Sequence, residues 1–127
     1  MLLRFVTRVS ACLLVVLLTG CTSSEAGAAA PSWAAGMATV QESRLPAPAR
    51  RTLDLIDAGG PFPYEKDGSV FGNFERRLPA HTRGYYHEYT VPTPGSRDRG
   101  ARRIVTGQDD EIYYTDDHYD SFRAVLR

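Results

Sequence analysis

The side chains with most chemistry to offer in this sequence are Glu88, His118 and a group of arginines, Arg97, Arg99, Arg102 and Arg103. The run Tyr85-Tyr86-His87-Glu88-Tyr89-Thr90-Val91 is rich in aromatic and β-branched residues and predicts a strand. Side chains alternate between the two faces of a strand, so Tyr86, Glu88 and Thr90 share one face. Tyr85, His87, Tyr89 and Val91 share the other, which is the expected core face. In the next run, Arg103 to Thr106, Ile104 can face that core while Arg103 stands on the side of Glu88. Arg99 has the same parity and extends the positive patch if the strand reaches that far. His118 follows Asp116-Asp117 and opens Tyr119-Asp120-Ser121-Phe122, at the mouth of a further predicted strand.

A carboxylate, an imidazole and two guanidinium groups suit cleavage of RNA by internal attack. A base takes the 2′-hydroxyl proton, an acid protonates the departing 5′-oxygen, and cations stabilise the crowded phosphate. Carboxylate and imidazole divide these roles because their ordinary pKa values differ. This route calls for no metal and no cofactor. Taken singly, each residue has a plainer reading: Glu88 as a surface carboxylate, Glu88 with Arg103 as a structural ion pair of little worth, His118 as a loop histidine.

The elements that must position these residues are legible in outline. Leu45-Pro46-Ala47-Pro48 opens a predicted helix, since proline is accepted in a first turn, and Ala49, Leu53 and Ile56 follow at helical spacing. Gly59-Gly60 closes it in the left-handed conformation, and Pro61 and Pro63 forbid its continuation. Short β-type runs come after: Val70-Phe71, Tyr85 to Val91, Arg103 to Thr106, Ile112 to Thr115 and Tyr119 to Phe122. Pro92-Thr93-Pro94-Gly95 and Asp109-Asp110 punctuate them, and short loops favour antiparallel neighbours. The expected fold is α+β, one N-terminal helix packed on an antiparallel β-sheet.

Residues 1–20 read as an export signal: Arg4 and Arg8 without an acid, an apolar run from Val9 to Leu18, and Gly20 at the cleavage position. The apolar run is too short for a spanning helix, which needs roughly 20 apolar residues. Leu18-Thr19-Gly20-Cys21 resembles the lipobox of bacterial lipoproteins, which implies lipidation of Cys21; the alternative is an ordinary secreted signal. Of the two cysteines, Cys12 leaves with the signal, so no internal disulfide is expected. Residues 21–44 hold little to bury and read as a flexible tether, with Trp33 and Met37 as its odd members. The domain is then expected over 45–127. The 127-residue chain has no formal net charge, and loss of Arg4 and Arg8 leaves it near −2. Bulk charge advertises no polyanion partner, so a nucleic-acid site must be a local patch.

Gly60-Pro61-Phe62-Pro63-Tyr64, Gly84-Tyr85-Tyr86-His87-Glu88-Tyr89-Thr90-Val91, Arg99-Gly100-Ala101-Arg102-Arg103-Ile104 and Asp117-His118-Tyr119 together resemble the bacterial guanyl-specific ribonucleases, the barnase-like microbial ribonucleases. The likeness runs from about Leu45 to Arg127. It implies cleavage of single-stranded RNA after guanosine through a 2′,3′-cyclic phosphate. It also implies Glu88 as base, His118 as acid, Arg99 and Arg103 as phosphate ligands, and Tyr119 beside that phosphate. The guanine loop would be Phe71-Gly72-Asn73-Phe74-Glu75, with the Glu75 carboxylate accepting from guanine N1 and N2, backbone amides around Gly72, Asn73 and Phe74 meeting O6 and N7, and an aromatic ring stacked on the base. Relatives tend to carry a polar residue at Gly72 and an arginine at Phe74, and some have a terminal cysteine pair that is missing here, which implies modest stability. A barstar-like protein inhibitor is a partner implied by analogy, the membrane a second through Cys21, and a monomer is expected. The competing readings are a ribonuclease-shaped module that binds RNA or an inhibitor-like protein without cutting, and a structural envelope lipoprotein. Retention of Glu88, Arg99, Arg103 and His118 together favours the enzyme, because a binding module needs no acid and base pair.

Overall fold

The computed structural model describes residues 30–127; the signal segment, Cys21 and the first part of the tether lie outside them. Elements follow in the order β1 (Thr39–Gln41), α1 (Ala47–Ala58), β2 (Ser69–Phe71), β3 (Tyr86–Thr90), β4 (Arg103–Thr106), β5 (Ile112–Thr115) and β6 (Arg123–Leu126), with single 3₁₀ turns at Ser32–Ala34 and Glu42–Arg44. One helix lies on a six-stranded sheet of order β1-β6-β5-β4-β3-β2, an α+β fold. Strands β2 to β6 form an antiparallel meander.

Helix α1 begins and ends as its sequence dictates. Pro48 sits in the first turn, where its missing N–H costs nothing. Gly59 takes φ 78° at the C-cap and Gly60 N–H bonds back to Leu55 O at 2.9 Å. Ala49 and Leu53 are wholly buried, and with Leu45 they press on Val91, Ile104, Ile112, Tyr114 and Val125 to form the core between helix and sheet. Burial of side chains of this size contributes roughly 1.5–3 kcal/mol each.

The opposite face of the sheet is buried as well, which corrects the assignment of a single core face. Tyr86, on the side of Glu88, is only 3% exposed, and with Leu78, Val105, Tyr113, Phe122 and Ala124 it forms a second cluster. Simple alternation of apolar and polar residues cannot reveal a sheet covered on both sides. The cover comes from residues 30–38: Trp33 packs edge-on against Tyr113 at 5.4 Å, and Met37 joins the same cluster. The boundary drawn at 45 is therefore too late. Residues 31–44, read as tether, contain both 3₁₀ turns and β1, which pairs parallel with β6 through Val40 and Val125.

Tyr119 to Phe122 is the other departure. These aromatic residues look like a strand, but His118 and Tyr119 have φ of 54° and 72°, and the segment is a turn whose strand starts only at Arg123. The turn is held by Asp117, whose carboxylate accepts from Thr115 Oγ1 (2.8 Å), Ser121 N (2.9 Å) and Ser121 Oγ (2.5 Å). These bonds, led by that from Ser121 Oγ, favour the ionised form and pull the Asp117 pKa down to about 2. Glu111 plays a similar role at the β4–β5 hairpin, accepting from Tyr85 Oη at 2.5 Å and Tyr113 Oη at 2.9 Å.

Candidate active site

The register of β3 and β4 brings the expected residues together. Glu88 lies opposite Val105 and Thr90 opposite Arg103. Partners directly across an antiparallel pair share a face, so Glu88 and Arg103 do so. Arg103 is the unusual member, a guanidinium only 2% exposed. Its Nη1 donates to the carbonyls of Arg102 (2.8 Å), Gly100 (3.0 Å) and Arg99 (3.4 Å), tying down the loop that precedes its own strand. Its Nε is buried without a hydrogen-bond partner among the described residues. A buried cationic donor without a partner is unusual in a folded protein and marks this side chain as more than a structural brace.

Arg99 lies outside β4, yet that loop returns it to the site. Its Nε and Nη2 both donate to Thr90 Oγ1, at 3.1 and 3.0 Å, and Nη2 stands 3.7 Å from Glu88 Oε1. Thr90 had no assigned role from sequence, although its shared parity with Glu88 was the available signal. The other Glu88 oxygen accepts from Tyr119 Oη at 2.9 Å. Burial first, then the nearby Glu88 charge, pushes the Tyr119 hydroxyl up to about 12, so it stays a donor. The Arg103 guanidinium is 5.9 Å from the centre of the Tyr119 ring, which packs face to face on Phe71 at 5.0 Å. Glu88, Arg99, Arg103 and Tyr119 are thus one contact network.

His118 is at the exposed rim of this network, in the β5–β6 turn rather than at the start of a strand. Its backbone N–H donates to Ala101 O at 2.9 Å, which fastens its turn to the loop bearing Arg99 and Arg103. Its ring makes no hydrogen bond among the described residues and lies 4.9 Å from that of Tyr119. The other two arginines separate from the site. Arg97 is exposed in the β3–β4 loop, and Arg102 lies near Tyr114, a residue of the helix-side core.

A cavity of about 260 Å³ opens beside Glu88 and Tyr119, its other wall being Val70, Phe71, Gly72, Asn73, Phe74, Glu75 and Arg77. The loop keeps its shape through Asn73, which adopts φ 51°. The Asn73 side chain donates to Leu78 O at 2.9 Å and accepts from Leu78 N at 3.1 Å, so its amide is spent on the loop itself. Phe74 is 85% exposed. Its ring rests on Gly72, where an added Cβ would meet Phe74 Cε2 at 2.5 Å. Glycine at 72 and the aromatic ring at 74 are therefore one structural unit. Glu75 is open to solvent and 3.9 Å from Arg77 Nε, and Arg77 also reaches Asp120 at 3.4 Å. Arg77 had no place in the site read from sequence, where only its charge marked it.

A family model described as ribonuclease matches residues 28–126. Guanyl-specific ribonuclease Sa3 of Kitasatospora aureofaciens is 69% identical over 84 residues, 65% of this chain and 60% of that protein. Guanyl-specific ribonuclease St of Saccharopolyspora erythraea is 53% identical over 91 residues, 72% of this chain and 90% of that protein. The chain thus spans less than two thirds of the length of Sa3 and nearly all of St. Among solved structures, ribonuclease Sa2 in complexes with mononucleotides superposes with a TM-score of 0.71 at 52% identity, covering 72% of this chain and 95% of that one. With the family model matched over almost all the described residues and the same fold in a close relative, this chain belongs to the family of microbial guanyl-specific ribonucleases.

Proposed function

We propose that the protein is an exported endoribonuclease that cleaves single-stranded RNA 3′ of guanosine. The observation that carries this reading is the Glu88 carboxylate, held between Tyr119 Oη at 2.9 Å and Arg99 at 3.7 Å on the wall of a base-sized cavity. In the first step Glu88 removes the 2′-hydroxyl proton, O2′ bonds to phosphorus, and the 5′-oxygen leaves with a proton from His118. Arg99 and Arg103 balance the charge gathering on the phosphate. In the second step water opens the 2′,3′-cyclic phosphate to a 3′-phosphate, with the two proton carriers exchanging roles. Guanine occupies the cavity along Phe71 to Glu75, where the Glu75 carboxylate accepts from N1 and N2. Adenine lacks that donor pair. Backbone amides of the loop meet O6 and N7, since the Asn73 side chain is otherwise engaged.

The same proposal includes a lipid on Cys21 that tethers a monomeric enzyme to the outer face of the membrane. An acidic inhibitor of the barstar kind would complement the cationic phosphate site. Mass spectrometry of the membrane fraction tests the tether, and an unmodified chain in the medium would leave a plain secreted enzyme.

The deciding experiment expresses Thr22 to Arg127 and incubates it, with EDTA present, with an RNA oligonucleotide containing one guanosine. Cleavage only after that guanosine, leaving a cyclic phosphate, supports the reading. Cutting elsewhere would mean that Gly72 and Phe74 have changed the base site, and no cutting by folded protein would favour a module that binds RNA.

A further inference from the structure

A second cavity, of about 280 Å³, lies against the far side of the base-binding loop. It shares Phe71 to Phe74 with the first cavity, and its remaining lining includes Arg76, His81, Arg83 and Tyr86. Its chemistry is that of a nucleotide site. His81 is stacked on Tyr85 with ring centres 3.7 Å apart and an angle of 10°, so an exposed imidazole is presented as a rigid flat surface. Phe74 contributes a second aromatic wall. Neither the Arg76 nor the Arg83 guanidinium has a hydrogen bond or ion pair among the described residues, whereas those of Arg77, Arg99 and Arg103 all do. Aromatic surfaces with unpaired cations are the means by which proteins hold single-stranded nucleic acid.

Strand β3 fixes which nucleotide this is. Thr90, Glu88 and Tyr86 follow one another on a single face, with steps of about 7 Å between alternate residues. Thr90 and its arginines mark the end that holds the phosphate 3′ of guanosine, and Glu88 lies beside the base cavity. Tyr86 marks the second cavity, on the side away from that phosphate. We infer that this cavity is a subsite for the nucleotide immediately 5′ of guanosine. Its base lies against Phe74 and His81, and the phosphate linking it to guanosine meets Arg76 and Arg83. The inference rests on the ribonuclease reading above and assigns that enzyme a second point of grip on its substrate.

The test compares kcat/KM of the Thr22 to Arg127 protein for GpU, pGpU and UpGpU. A filled subsite makes UpGpU better than GpU by about tenfold, the worth of one base-stacking contact, mainly through KM, with pGpU between them. The double variant Arg76→Asn/Arg83→Ala should bring UpGpU to within about twofold of GpU while GpU itself is unchanged; asparagine tolerates the positive φ of 55° at position 76. If that variant fails to fold, Arg83→Gln alone serves, with the advantage expected to fall by at least half. Equal rates on GpU and UpGpU, or an advantage that survives the substitutions, overturns the subsite and leaves the enzyme standing. No cleavage of GpU by folded protein overturns both.

Discussion

Replacing Arg103 with lysine separates what this side chain does for the fold from what it does for the reaction. The two shorter bonds of Nη1, to Arg102 O and Gly100 O, are real hydrogen bonds, and the third, at 3.4 Å to Arg99 O, contributes little. A hydrogen bond to a charged group contributes about 1.5–3 kcal/mol. A lysine ammonium on this buried stem retains one of the two, so Arg103→Lys should lose about 1.5–3 kcal/mol of stability. That is a large share of the 5–15 kcal/mol typical of a domain, and for one of this size it lowers Tm by roughly 6–24 °C. Lysine also offers a point charge in place of the planar guanidinium, so kcat/KM should fall by about 10²–10³, as for loss of one preorganised donor to a developing negative charge. The assays are urea titration followed by circular dichroism, and steady-state cleavage of GpU at a temperature where the variant is folded. Unchanged stability would mean that the guanidinium does not hold the loop; unchanged kcat/KM would mean that the phosphate binds elsewhere.

Glu88→Gln keeps the shape and an acceptor for Tyr119 but removes the base, and should slow formation of the cyclic phosphate by about two to four orders of magnitude; a rate near that of the parent would show that another group takes the proton. Leu53→Ala opens a hole in the wholly buried centre of the helix–sheet core and should cost about 2–5 kcal/mol in urea unfolding, with a loss below 1 kcal/mol contradicting the packing described. Asp117 has a folded pKa of about 2, below the ordinary carboxylate value near 3.9, so its stabilising effect is complete above pH 4 and is lost as pH falls through 2. Asp117→Asn should therefore flatten the acid limb of stability between those pH values, and an unaltered slope would assign that limb to other carboxylates.

The parts of the site that could be read from sequence are those fixed by local rules. Period-two alternation placed Glu88 and Arg103 on one face, and the register agrees. Proline at the start and glycine at the end bounded α1 to within a residue or two. What escaped depends on contacts distant in sequence. Thr39–Gln41 has two strand-forming residues, Thr39 and Val40, in a run too short to read as a strand, and it is one because β6, more than eighty positions later, offers an edge. Trp33 and Met37 look unused until the second aromatic cluster gives them something to cover. Tyr119 and Phe122 have strand-forming side chains, but Asp117 supplies a competing set of bonds that turns the chain instead. The place of Arg99 beside Glu88 was legible and its means of delivery was not, since a loop held by Arg103 carries it to Thr90.

Strand β1 and the loop from Phe71 to Glu75 stand at opposite borders of the sheet, because β1 is one edge strand and the loop continues from β2, the other. Six strands at about 4.8 Å spacing set these borders roughly 24 Å apart. Strand β1 is thus a handle opposite a mouth, and residues 30–38 lead from it onto the face of the sheet at Tyr113. The parallel pairing of β1 with β6 makes the handle part of the sheet itself, so a pull on it is carried through hydrogen bonds into the domain.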